Sequence, residues 1–150
     1  MAAPHIEIGE KVPNLCYQDA AQRSVCLDDA KTTVRVLIYN AGYLGACNAE
    51  MGELVPKVTE FEAKPVTFYS LSIGGWSSGE LPDAPFLKEW KEKFDIPFHV
   101  AASPNNPGKE FFPSARIPSA VVIDKEGKLA FRQIHATVDQ VLGEVRRLLN

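Results

Sequence analysis

The chain has 150 residues, 45% apolar and 23% charged, a size and balance that suit one globular domain, residues 1–150, with its own core. A net charge of -3 with no run of five like charges gives no footprint for nucleic acid or an anionic membrane, so a protein or small molecule is the expected partner. Three cysteines are too few for a disulfide scaffold, and His5, His99 and His135 share no metal-ligand spacing with them, so neither a structural metal nor a cofactor is expected.

Residues 1–8 lack the basic and apolar regions of an export signal, and no apolar stretch approaches the roughly 20 residues that span a bilayer. The expectation is a cytoplasmic protein, or a periplasmic or exported one if a signal segment has been removed. Residues 13–17 and 24–27 then flank the polar segment 18–23, as in a β-hairpin. Cys16 and Cys26 are symmetric about Ala21 in this hairpin and face each other across its strands. A structural or redox-active disulfide is one outcome, and two free thiols, favoured by a reducing cytosol, are the other.

Residues 34–39 are nearly continuous apolar and rich in β-branched side chains, the pattern of a central strand covered on both faces. After a turn at residues 40–46, Cys47, Met51, Leu54, Val58 and Phe61 mark one face of a helix that Pro56 is expected to kink. Residues 66–73 read as a second buried strand, parallel to the first across a right-handed crossover, with a glycine-rich loop at 74–79. A helix at 86–94, a short strand at 98–100 and a polar loop at 103–108 follow. Residues 120–123 and 129–132 form an antiparallel hairpin with Gly127 available for a positive φ. Thr137 and Gln140 fit a capping box before the apolar stripe of a last helix. The sum is an α/β fold, a mixed central sheet with helices on both faces and an N-terminal β-hairpin.

The turn Asn40-Ala41-Gly42-Tyr43-Leu44-Gly45-Ala46-Cys47-Asn48-Ala49-Glu50-Met51 resembles the redox turn of the thioredoxin-like superfamily, closest to its periplasmic disulfide oxidoreductases, W-A-T-W-C-G-P-C-x-x-E-M. Cys47 falls on the second cysteine, Glu50 on the glutamate and Leu44 on the first cysteine. The stretch also resembles the peroxiredoxin pattern P-x-x-x-T-x-x-C, with Asn40 in place of proline and Leu44 in place of threonine. Arg116-Ile117-Pro118-Ser119-Ala120-Val121-Val122-Ile123-Asp124 resembles the cis-proline segment, without the peroxiredoxin arginine expected near Pro118. Residues 8–15 resemble the start of the redoxin (alkyl hydroperoxide reductase and thiol-specific antioxidant) type, so the likeness spans residues 8–149 and implies a thioredoxin fold.

The resemblance implies thiol-based chemistry at Cys47. A cysteine in the first turn of a helix feels the partial positive charge of unpaired N–H groups, which favours thiolate, whereas burial on the apolar stripe opposes it. Glu50, one turn on, is placed to exchange a proton with the thiol or to interact with the helix dipole. Leu44 supplies no resolving thiol, so a dithiol cycle in this turn alone is disfavoured. Pro118, if cis, leaves the backbone of Ile117 facing the turn, where such proteins pair with extended peptides. Tyr43 and Trp76 either line the crevice there or cover the core. The leading expectation is a single-cysteine thiol oxidoreductase acting on protein or small-molecule thiols and disulfides. Its alternatives are a redox-inactive binding module and a one-cysteine peroxidase.

Overall fold

The computed structural model describes residues 6–103, 108–112 and 116–150; His5 and most of the polar loop expected at 103–108 lie outside them. The elements are β1 (Cys16–Asp19), β2 (Ser24–Cys26), a 3-10 turn (Leu27–Ala30), β3 (Val34–Ala41), α1 (Gly45–Lys57), a second 3-10 turn (Val58–Phe61), β4 (Val66–Gly74), α2 (Ala84–Phe94), β5 (His99–Ala102), β6 (Ser119–Ile123), β7 (Leu129–Ile134) and α3 (Val138–Leu149). Pro56, expected to kink α1, stands one residue before its end, and the tighter 3-10 turn takes over there. Among the described residues no helix is long and apolar enough to cross a membrane.

The strands make one mixed sheet in the order β2-β1-β5-β4-β3-β6-β7. Every residue of β3 is buried, Arg35 and Asn40 included, as its nearly continuous apolar sequence requires of a central strand. β3 pairs in parallel with β4, Val34 opposite Val66 and Tyr39 opposite Leu71, and β4 pairs in parallel with β5. β6 runs antiparallel to β3 and β7 to β6, so the two pairs read from the sequence are both present.

One core holds the alternating face Val34, Val36 and Ile38 together with Cys47, Met51 and Leu54 of α1, Phe86 and Trp90 of α2, and Val141, Leu142 and Val145 of α3. The other face, carrying Leu37, Tyr39 and Leu71, is covered by Val25, Leu27, Phe111 and Phe112. The expected placing of helices on both faces therefore gives way to three helices on one face. The crossovers β3-α1-β4 and β4-α2-β5 advance in the same direction across the sheet, and with the same hand they leave α1 and α2 on the same side.

The carboxyl ends of β3, β4 and β5 share one edge of the sheet, and the antiparallel strands bring two more segments to it. Gln18 lies opposite Ala102, which carries Cys16 to that edge, and Ser119 lies opposite Tyr39, which sets Pro118 alongside Asn40.

Candidate functional site

The turn between β3 and α1 is held by polar contacts that run into the core. Leu44 is the N-cap of α1, with no side-chain oxygen to offer, and the N–H of Cys47 donates to its carbonyl at 3.1 Å. Asn48 ties the turn to its neighbours: its amide nitrogen donates to the carbonyls of Gly42 and Leu44 at 3.0 and 2.9 Å, and its oxygen accepts from Lys93 Nζ at 2.6 Å. Beneath the turn, Asn40 Nδ2 donates to Ser70 Oγ at 2.8 Å and its Oδ1 accepts from Ser72 Oγ at 3.3 Å. Trp90 Nε1 donates to the same Ser70 oxygen at 3.0 Å, so β3, β4 and α2 are tied together in a buried network.

Cys47 and Glu50 are both buried on the inner face of α1. Burial pushes the Cys47 thiol up to about 11; the N–H of Ala41, donating to the sulfur, acts the other way, and the Glu50 carboxyl adds a smaller rise. Burial likewise raises Glu50 to about 8, with Glu53 contributing, and among the described residues its Oε1 has no hydrogen-bond partner. Both groups therefore rest protonated at neutral pH, and the contest between helix N-terminus and burial falls to burial.

The remaining expected site residues converge on the same edge. The Ile117–Pro118 bond is cis, and both residues are half-buried. Trp76 sits over Gly42, where an added Cβ would come within 2.9 Å of its ring and 2.5 Å of Phe86, so only glycine lets the turn pass. Tyr43 lies against Gly74 in the same way and stays exposed. Trp76 also packs edge-on against Phe86, with ring centroids 4.9 Å apart, and so belongs partly to the core. The sequence pointed to neither Asn48 nor Ser70, and to Asn40 only as the residue in place of the peroxiredoxin proline, not as a polar support of the turn. The one available signal was an asparagine, a poor helix former, in the first turn of α1.

Cys16 and Cys26 are joined by a disulfide in place of two free thiols. The flanking bonds, Leu27 N–H to Leu15 and Asp19 N–H to Arg23, make them a non-hydrogen-bonded pair, the position where facing residues approach closest, and their Cα atoms are 4.0 Å apart. Cys47 is the free cysteine. Among the described residues no cluster of three or more histidine, cysteine or acidic side chains forms a metal site.

Solved structures with the same fold include a putative thiol:disulfide interchange protein DsbE from Chlorobium tepidum, 16% identical, with a TM-score of 0.79 over 97% of this chain and 99% of that one. The thioredoxin domain of a thiol-disulfide oxidoreductase from Bacteroides vulgatus is 18% identical, with a TM-score of 0.75 over 97% and 99%. A peroxiredoxin-like protein from Aquifex aeolicus is 21% identical, with a TM-score of 0.73 over 98% and 90%. No curated protein matches the sequence. The AhpC/TSA family model matches residues 8–132, from the segment before the hairpin to within β7, and the chain therefore belongs to the AhpC/TSA family.

Proposed function

We propose that this chain is a thiol–disulfide oxidoreductase of the redoxin type, with Cys47 the working thiol of the turn and Glu50 the group that exchanges its proton. One observation carries the reading: the free cysteine occupies the first turn of α1, with the Ala41 N–H on its sulfur and a second buried acid one turn on. The family, and the interchange and oxidoreductase chemistry named for the Chlorobium and Bacteroides proteins, support the reaction class.

In this scheme ionised Glu50 takes the Cys47 proton, and the thiolate attacks one sulfur of a partner disulfide. That S–S bond breaks, the leaving sulfur departs as thiolate, and a mixed disulfide forms at Cys47. Leu44 offers no second thiol, so an external thiol releases the partner and restores Cys47. Ile117 and Pro118 border the partner's path, where main-chain pairing holds an extended segment. An oxidising compartment, periplasmic or exported, suits the Cys16–Cys26 disulfide.

The complete burial of Cys47 and the presence of Leu44 at the N-cap favour a second reading, a non-catalytic module that binds peptide in the same crevice. A peroxidase gains no such support, since Leu44 has no hydroxyl to hold a peroxide. Incubation of the folded protein with the small uncharged disulfide of 2-mercaptoethanol, followed by peptide mapping, tests the first reading. A mixed disulfide at Cys47, lost in Cys47→Ser, is expected; a Cys47 that stays unmodified until the protein unfolds would leave the module.

A further inference from the structure

The geometry points to the Cys16–Cys26 pair as a second thiol–disulfide exchange site, one that takes an extended peptide dithiol without net negative charge. This inference goes beyond the reading above and does not depend on Cys47.

Cys16 is exposed and Cys26 half-buried, in contrast to the covered thiol of the turn. Cys16 opens into a groove of about 440 Å³ whose walls are Gln18, Ser24, Leu81 and Pro82. Leu81 is 68% exposed, a large apolar side chain held out beside a disulfide. The groove lies at the sheet edge where β1 passes the end of β5, the same edge that carries the redox turn. The loop from Gly75 to Asp83 joins the two places, with Trp76 over the turn at one end and Leu81 beside Cys16 at the other.

The hairpin does not need the disulfide to keep its shape. Asp19 Oδ1 accepts from the N–H groups of Ala21 and Arg23 at 2.9 Å each, Asp29 Oδ2 accepts from the Cys26 N–H at 3.0 Å, and Val25 and Leu27 are buried. Both redox states thus have the same scaffold. β2 is the outer strand of the sheet. Because Tyr17 and Val25 are a hydrogen-bonded pair, the main-chain groups of Ser24 point outward, where a strand can be added. Among the described residues the charged one lining the groove is Asp83, and Asp28 and Asp29 stand two and three residues after Cys26. Carboxylates here repel an anionic thiol such as glutathione and accept a neutral or basic peptide.

In the exchange, one thiolate of the peptide attacks the Cys16 sulfur. The Cys16–Cys26 bond breaks, and Cys26 leaves as thiolate and takes a proton from solvent. The second peptide thiolate then attacks the peptide's own sulfur in the mixed disulfide, forming the peptide disulfide and releasing Cys16, which is protonated in turn. Two electrons and two protons pass from peptide to protein, and the step runs in reverse for an oxidised peptide.

The test uses the whole protein with its hairpin oxidised. A capped Cys-x-x-Cys peptide with leucine and lysine flanks, glutathione and dithiothreitol are supplied at equal thiolate concentration, and alkylation of Cys16, Cys26 and Cys47 is followed residue by residue. Cys16 and Cys26 are expected to become alkylatable about tenfold faster with the peptide than with glutathione, and Leu81→Ser to slow the peptide by about tenfold while leaving dithiothreitol unchanged. With Cys26→Ser, Cys16 should hold the oxidised peptide as a mixed disulfide. A bond that opens only on global unfolding, or equal rates for peptide and glutathione with no effect of Leu81→Ser, would overturn the inference. The same spectra read Cys47 separately, so an inert turn thiol leaves this result standing, and an inert hairpin leaves the turn's.

Discussion

A carboxyl that releases its proton near 4.5 in water holds it to about 8 at Glu50, so between those values the folded chain binds a proton that the unfolded chain has lost. The contribution of Glu50 to stability is therefore full below about 4.5 and declines as pH rises towards 8. Glu50→Gln removes that slope, and at pH 8 the variant should exceed the parent by on the order of a few kcal/mol in urea unfolding relative to the difference at pH 5. A parent stability that climbs from pH 5 to 8 while the variant tracks it would contradict the shift. At Leu44 the expectation concerns activity: Leu44→Cys creates a C-x-x-C pair in the turn and should raise insulin reduction with dithiothreitol well above the parent, which should show little. The position of Cys47 on an apolar stripe was legible in the sequence, and so was the opposition between dipole and burial. Which one prevails was not, because it depends on how closely Met51, Phe86 and Trp90 cover the thiol's face of the helix. The supporting bonds of Asn40 escaped notice for a related reason, since its partners Ser70 and Ser72 lie on a strand some thirty residues away.

Local signals and long-range packing divide differently among the elements. The capping box of α3 was readable from Thr137 and Gln140 alone, and both of its hydrogen bonds are made. Thr137→Ala should accordingly cost about 1 kcal/mol, measurable by denaturant unfolding without a change in the m-value. No loss would place the stability of α3 in its buried stripe alone. The stripe of α1 should cost more: Met51 is fully buried in the helix-side core, and Met51→Ala should destabilise by about 2–5 kcal/mol. The β3 and β4 strands declared themselves by largely apolar runs rich in β-branched and aromatic side chains, and their parallel pairing by the helix between them. The side of the sheet taken by α2 was not readable, because β5 is too short to announce itself as a further parallel partner and so to fix the direction of the second crossover.

At the scale of the molecule, the mixed sheet gathers at one edge three things that lie far apart in sequence: the Cys47 turn, the Ile117–Pro118 segment and the Cys16–Cys26 hairpin. The family and the turn were legible because both are written in consecutive residues, from residue 8 onward and at residues 40–51. The gathering was legible only in part, since it depends on β1 docking against β5 with Gln18 opposite Ala102, a pairing between a hairpin and a strand that no local pattern specifies. As proposed, Cys47 is a working thiol and Glu50 its proton partner. The rate of mixed-disulfide formation at Cys47 against pH, with the disulfide of 2-mercaptoethanol, in Cys16→Ser/Cys26→Ser protein with and without Glu50→Gln, decides whether the two groups act together. The rate should climb with pH to about 8, where Glu50 ionises, and level off above it, whereas in the glutamine variant the climb should start lower and run on towards about 11, where the thiol itself ionises. A Cys47 that forms no adduct across that climb while the protein remains folded, or a profile that Glu50→Gln leaves unchanged, would contradict the proposal.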